Sequence, residues 1–171
     1  MTASGRIIND REISRVKFFK KENIFTDVKR KQLLKMSKPL LVNHYNDSGM
    51  KGLSTHPDLY KIPGFDFYVK KIKTLIEEHY QRKFNIVRAW CRYTQGDHIN
   101  FHRHPNVNLT SSYYLQNPSE LGTLARTDNK EIHLGGKENS LVAFDASIFH
   151  SVPTSTEKME RYTFITDLQN V

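Results

Sequence analysis

Residues 84–104 read FNIVRAWCRYTQGDHINFHRH. They form two strand-like runs, 84–95 and 98–104, on either side of a turn signal at Gly96-Asp97. In the second run, alternation at period two puts His102 and His104 on one face, with Phe101 and Arg103 on the other. Similar short runs follow at 109–116, 121–125, 131–134, 140–145, 148–152 and 160–168. Asn117-Pro118, Asp128-Asn129 and Gly135-Gly136 punctuate them. A succession of short strands with turns roughly every 8–12 residues predicts a sandwich or barrel.

Upstream the pattern is helical. Val69, Ile72, Leu75, Ile76 and Tyr80 recur at i, i+3 and i+4 spacing between Lys and Glu, predicting an amphipathic helix from about Phe65 to Gln81. Asp27 is a candidate cap for a short helix over 28–37, before Pro39. Val16, Phe18 and Phe19, near Ile24 and Phe25, suggest a strand or packed arm. Residues 1–15 are polar, and Asn43–Gly64 reads as a long loop. The expected organisation is a basic arm and short helix over 1–42, packing on a β domain over 43–171 that includes its supporting helix, 65–82.

The chain has 171 residues, enough for one substantial core and awkward for two domains. The net charge of +8 is not spread evenly. Residues 1–38 carry 11 Lys/Arg against 4 Asp/Glu (+7), residues 39–86 carry 7 against 5 (+2), and residues 87–171 carry 8 against 9 (−1). The basic arm is thus either a solvated face or a footprint for an acidic partner or nucleic acid. One cysteine, Cys91, leaves no intramolecular disulfide and no multi-Cys zinc site, which points to a reducing, cytoplasmic setting and a buried structural thiol. The sequence shows neither a leader-like apolar region nor an apolar run long enough to span a membrane, so no membrane role is expected.

His102 and His104 suit two ligands on one metal, and Fe, Zn, Cu and Ni all accept imidazole. His150, in the apolar stretch Phe144–Pro153, is the best third ligand. Eleven residues later Arg161 shares a strand face with Thr163 and Ile165, opposite Tyr162 and Phe164. An inward arginine needs an anionic partner, and a guanidinium with a hydroxyl two residues away makes a carboxylate clamp. Tyr93-x-x-Gly96 precedes His102, offering a phenol beside a turn.

Together, Tyr93-x-x-Gly96-(x5)-His102-x-His104, then His150, then Arg161-x-Thr163 resembles the Fe(II)/2-oxoglutarate-dependent oxygenases. The likeness covers residues 43–168, most firmly 88–166. The segment His102-Arg103-His104-Pro105 with Ser112-Tyr113-Tyr114-Leu115, and Gly52–Thr55, looks like a branch with H-x-H-P and S-G-x-Y-Y motifs, common in marine bacteria and phages. The resemblance implies a mainly β fold with flanking helices, a double-stranded β-helix (jelly-roll, cupin-like). It implies Fe(II), 2-oxoglutarate and O2 as cofactor and co-substrates, with His102, His104 and His150 on the metal. Arg161, Thr163, Tyr93 and Tyr114 would contact 2-oxoglutarate. The implied activity is hydroxylation of a peptide, a small metabolite or a nucleic acid. His104 departs from the pattern, which has Asp or Glu there. That keeps in view a three-His cupin-type protein not using 2-oxoglutarate, and the basic arm keeps in view a nucleic-acid-binding module with a vestigial metal site.

Other residues are read more plainly. By alternation His98 and Asn100 share the face of His102 and read as mouth or surface residues, with a contact to substrate or behind the metal ligands as the alternative. Trp90 and Tyr93 are candidate wall residues, Trp90 on its own reading as core; His79 is expected at the core edge, and His44, His56 and His133 in loops or edges. Arg103 reads as a rim charge and Arg126 as a candidate substrate contact at the pocket rim.

Overall fold

The computed structural model describes residues 17–43, 52–127, 130–155 and 158–171. The N-terminal polar run, His44 and the Asp128-Asn129 turn lie outside them. Eleven strands and two helices follow in order: β1 (Phe18–Glu22), α1 (Asp27–Ser37), β2 (Val42–Asn43), β3 (Leu53–Ser54), α2 (Asp66–Tyr80), β4 (Phe84–Gln95), β5 (Ile99–His102), β6 (Leu109–Gln116), β7 (Thr123–Thr127), β8 (Lys130–Gly135), β9 (Ser140–Asp145), β10 (Phe149–Val152) and β11 (Glu160–Asn170). They form a seven-stranded sheet, β1-β9-β6-β11-β4-β3-β2, and a four-stranded sheet, β5-β10-β7-β8. All strand pairs are antiparallel. This is the expected jelly-roll.

Alternation along the large sheet assigns its two faces. Tyr113 and Leu115 of β6, Leu141 and Ala143 of β9, and Tyr162, Phe164 and Leu168 of β11 face the helices. There they pack with Leu33 of α1 and with Tyr68, Val69, Ile72, Leu75 and Ile76 of α2. The intervening residues Tyr114, Val142 and Phe144 face the small sheet and join Ala125 and Leu134 in a second cluster. One face of each strand therefore closes the core against helices, and the other lines the space between the sheets.

Several expectations need adjusting. Thr26, not Asp27, caps α1, its Oγ1 accepting from Lys29 N at 3.4 Å, while Asp27 opens the helix and pairs with Arg30 at 3.0 Å. A hydroxyl one residue earlier meets the free amides of the first turn. Part of the expected 43–64 loop is sheet: Leu53 and Ser54 pair with Tyr93 and Arg92, and Thr55 N donates to Cys91 O at 2.9 Å. β1 pairs along β9, and Phe19, Ile24, Phe25 and Leu33 are buried, so the described part of the arm packs on the core. Gly96 takes the expected turn at φ 76°. No described helix is long and apolar enough to cross a membrane.

Candidate metal centre

β5 and β10 are neighbours with His102 directly opposite His150, their ring centroids 4.3 Å apart. β5 ends at His102, so His104 is not a strand residue. It is tied back instead by its own backbone, whose N–H donates to Ala146 O at 3.0 Å. The His104 ring lies 5.3 Å from His102 and 5.1 Å from His150, and one ligand nitrogen from each of the three falls within 4.8 Å of the others.

Each imidazole is oriented through Nδ1. His102 Nδ1 reaches Asn100 O at 2.8 Å and His150 Nδ1 reaches Ile148 O at 3.0 Å, in each case the carbonyl two residues back along the chain. His104 Nδ1 reaches Asp167 Oδ1 at 2.7 Å, with Thr110 Oγ1 at 3.2 Å. Three acceptors at three Nδ1 atoms place the protons there and leave the Nε2 lone pairs for a ligand, the arrangement that metal-binding histidines use. Burial is the main force lowering the pKa of both His102 and His150, and it takes His150 to about 3. These two imidazoles are therefore neutral near pH 7 and ready to coordinate. The donor set fits a divalent transition metal with open positions.

Beside the histidines is a cavity of about 290 Å³, whose described lining holds three arginines and no carboxylate. Arg161, at 5% exposed, extends into it. Its Nε donates to Thr94 Oγ1 at 3.0 Å and its NH2 to Asp97 O at 3.1 Å. No described carboxylate forms an ion pair with it. Burial above all lowers its pKa, to about 10. Thr163 and Tyr114 line the same cavity, and the Tyr114 hydroxyl bonds Thr123 Oγ1 at 2.7 Å.

Tyr93 is placed differently from the expectation. The cavity-facing residues of β4 are Arg88, Trp90 and Arg92, so alternation turns Tyr93 to the other face. There its ring lies 5.0 Å from Tyr162 and its hydroxyl contacts Glu160 at 3.5 Å. Trp90 is a wall residue rather than a core one: it lines the cavity and stacks on His104 at 5.7 Å. His98 and Asn100 do not share the face of His102. The β5–β10 register shifts between His150/His102 and Val152/Ile99, so one extra β5 residue is accommodated in a bulge. Ile99 lines the cavity, while His98 and Asn100 are exposed and bond each other at 2.8 Å. Arg126 is outside the cavity lining, over the Phe101 ring at 3.6 Å and paired with Glu131 at 2.8 Å. Cys91 is fully buried and its pKa is pushed up by burial to about 12.

Among the residues of the site with no sequence assignment are three charged ones. Arg88 and Arg92 follow from the parity of Trp90 on β4, and Asp167 from the parity of Arg161, Thr163 and Ile165 on β11. For Asp167 the signal was the alternation of β11 carried further; for Arg88 and Arg92 it was the pairing of β4 with β11, which sets the parity of β4.

No protein-family model matches the sequence, and no curated protein does. Solved structures do match in shape. The non-heme α-ketoglutarate-dependent epimerase SnoN of nogalamycin biosynthesis aligns at TM-score 0.75 and 9% identity, over 94% of this chain and 81% of that one. A Pseudomonas putida prolyl-4-hydroxylase aligns at TM-score 0.69 and 13% identity, over 94% and 96%. HygX from Streptomyces hygroscopicus, solved with nickel, 2-oxoglutarate and hygromycin B, aligns at TM-score 0.73 and 8% identity, over 94% and 86%. The chain therefore has the double-stranded β-helix fold that Fe(II)/2-oxoglutarate oxygenases of solved structure adopt.

Proposed function

We propose that this protein is an Fe(II)- and 2-oxoglutarate-dependent dioxygenase of the hydroxylase type. One observation carries the reading: three converging imidazoles share a cavity with a buried arginine that no described carboxylate neutralises. His102, His104 and His150 would hold the iron on one side, leaving positions open toward the cavity. When bound, iron with 2-oxoglutarate and O2 supplies oxidative decarboxylation to succinate and CO2, one oxygen atom entering succinate and the other the substrate.

The chain's own contribution is placement. The Arg161 fork, rigidly held by Thr94 and the Asp97 carbonyl, suits the distal carboxylate of the co-substrate. The Thr163 hydroxyl and the Tyr114–Thr123 hydroxyl pair add polar partners around it. Anion binding would offset the cost of burying the guanidinium. Trp90 and Ile99 supply apolar wall near the histidines.

His104 favours a second reading, a three-His site that does not use 2-oxoglutarate. The two readings separate on turnover. Purified protein with Fe(II), ascorbate and O2 is expected to convert 2-oxoglutarate to succinate, even uncoupled, and Arg161→Ala is expected to lose that turnover while keeping the metal. Full iron occupancy with no succinate would favour the second reading and overturn the first. The reaction's substrate is open to a peptide, a small metabolite or a nucleic acid.

A further inference from the structure

Asp167 is the only acidic residue fully buried among the described residues. It continues the cavity-facing series of β11 and lies opposite Arg88 in the register. Its Oδ2 forms an ion pair with Arg88 NH2 at 2.7 Å and its Oδ1 lies 2.7 Å from His104 Nδ1. A carboxylate removed from water is expensive unless partnered, and these contacts are its partners. Of the three converging imidazoles, His104 alone is backed by a carboxylate, the other two by main-chain carbonyls. Trp90 covers its ring and Thr110 approaches the same nitrogen, so His104 is held by both edge and face.

We propose that Asp167 is the positioning residue of the metal centre. Its carboxylate fixes His104 with the proton on Nδ1 and Nε2 toward the cavity, and makes that nitrogen a better donor to a divalent cation. Arg88 supplies the opposite charge beside the far oxygen, at ion-pair distance but without a hydrogen bond to it. The proposal rests on the reading that the three histidines bind metal, and it adds a consequence that reading lacks. A carboxylate placed at position 104 would share a buried site with Asp167, and two like charges oppose each other there. Asp167→Asn should therefore act in opposite directions in the two backgrounds.

The test is an anaerobic calorimetric titration of the ligand-free full-length protein with Fe(II), across wild type, Asp167→Asn, His104→Asp and the double variant. Removing such a partner typically lowers metal affinity about 10–100-fold. Asp167→Asn is expected to weaken Fe(II) binding by that factor in wild type and to strengthen it several-fold in His104→Asp. Equal affinity of Asp167→Asn and wild type, or weakening in both backgrounds, overturns the proposal while leaving metal binding intact. No Fe(II) binding by wild type overturns the metal reading itself. A measurement on wild type alone covers the case of a variant that fails to fold: imidazole ¹⁵N spectra of the metal-free protein should show His104 protonated on Nδ1. The opposite tautomer overturns the proposal.

Discussion

Replacing Arg161 by Met separates the clamp from the fold. Burial brings the Arg161 pKa from 12.5 to about 10. At 1.36 kcal/mol per decade, the cation carries a cost of about 3 kcal/mol in the ligand-free protein. Met removes that cost but also removes the hydrogen bonds to Thr94 and the Asp97 carbonyl, each worth about 1.5 kcal/mol or more for a charged donor. The two effects nearly cancel, so the melting temperature should move little. Co-substrate binding has no such compensation. Losing a buried charge-assisted contact costs about 2–5 kcal/mol, which is roughly 30-fold or more in affinity at 1.4 kcal/mol per decade. Calorimetric titration of 2-oxoglutarate into anaerobic Fe(II)-loaded protein reads the affinity, a separate Fe(II) titration reads the metal, and a thermal melt reads the fold. Unchanged 2-oxoglutarate affinity, or equal loss of metal and co-substrate, would refute the reasoning.

Other outcomes follow from the same contacts. In the metal-free protein His150 titrates near 3, against about 6.5 when unfolded, so the unfolded chain binds its proton first as pH falls. The stability His150 contributes is complete above pH 6.5 and is lost downward toward pH 3, about 2 kcal/mol of it by pH 5. His102 and His133 shift the same way and steepen the slope; urea midpoints flat from pH 7 to 5 would contradict this. Cys91, buried and with its pKa near 12, should resist iodoacetamide at pH 8 in the folded protein and react once urea unfolds it; rapid labelling of the native state would count against the burial. For the basic N-terminal region, deleting residues 1–38 would also remove buried Phe19, Ile24, Phe25 and Leu33, so charge reversal at exposed Lys31, Lys35 and Lys38 is the cleaner probe. If that surface meets nucleic acid, gel-shift affinity should fall with salt and fall further in the triple Lys→Glu variant; salt-independent binding, or equal binding by the variant, would refute a nucleic-acid role.

Much of the fold was legible because the chain uses the two simplest periodicities cleanly. The strand runs at 84–95, 109–116 and 140–145 match β4, β6 and β9 in full, and the apolar stripe from Val69 to Tyr80 lies within α2. Alternation also placed Arg161 and Thr163 on one face, and the apolar stretch around His150 pointed it inward; the structure puts all three in one cavity with His102. It failed where the backbone leaves the regular pleat. The β5 bulge exchanged Ile99 for Asn100 on the inner face, and no residue type in Asp97–Asn100 announces it. The parity of β4 was not fixed by its own sequence, since polar and aromatic residues occupy both faces. Only pairing with β11 and packing under α2 decide that Trp90 and Arg92 face inward and Tyr93 outward. Asp167 was hidden because an acid in an apolar strand has meaning only with its partner. That partner, His104, lies 63 residues away.

The central claim is that one cavity binds iron through three histidines and a dicarboxylate through Arg161. Crystals grown anaerobically with Fe(II) and 2-oxoglutarate, with diffraction collected at the iron edge, test it in a single measurement. The account predicts one anomalous peak coordinated by Nε2 of His102, His104 and His150, with the distal carboxylate of 2-oxoglutarate on the Arg161 guanidinium. Iron bound elsewhere, or 2-oxoglutarate absent from Arg161 at full iron occupancy, would contradict it.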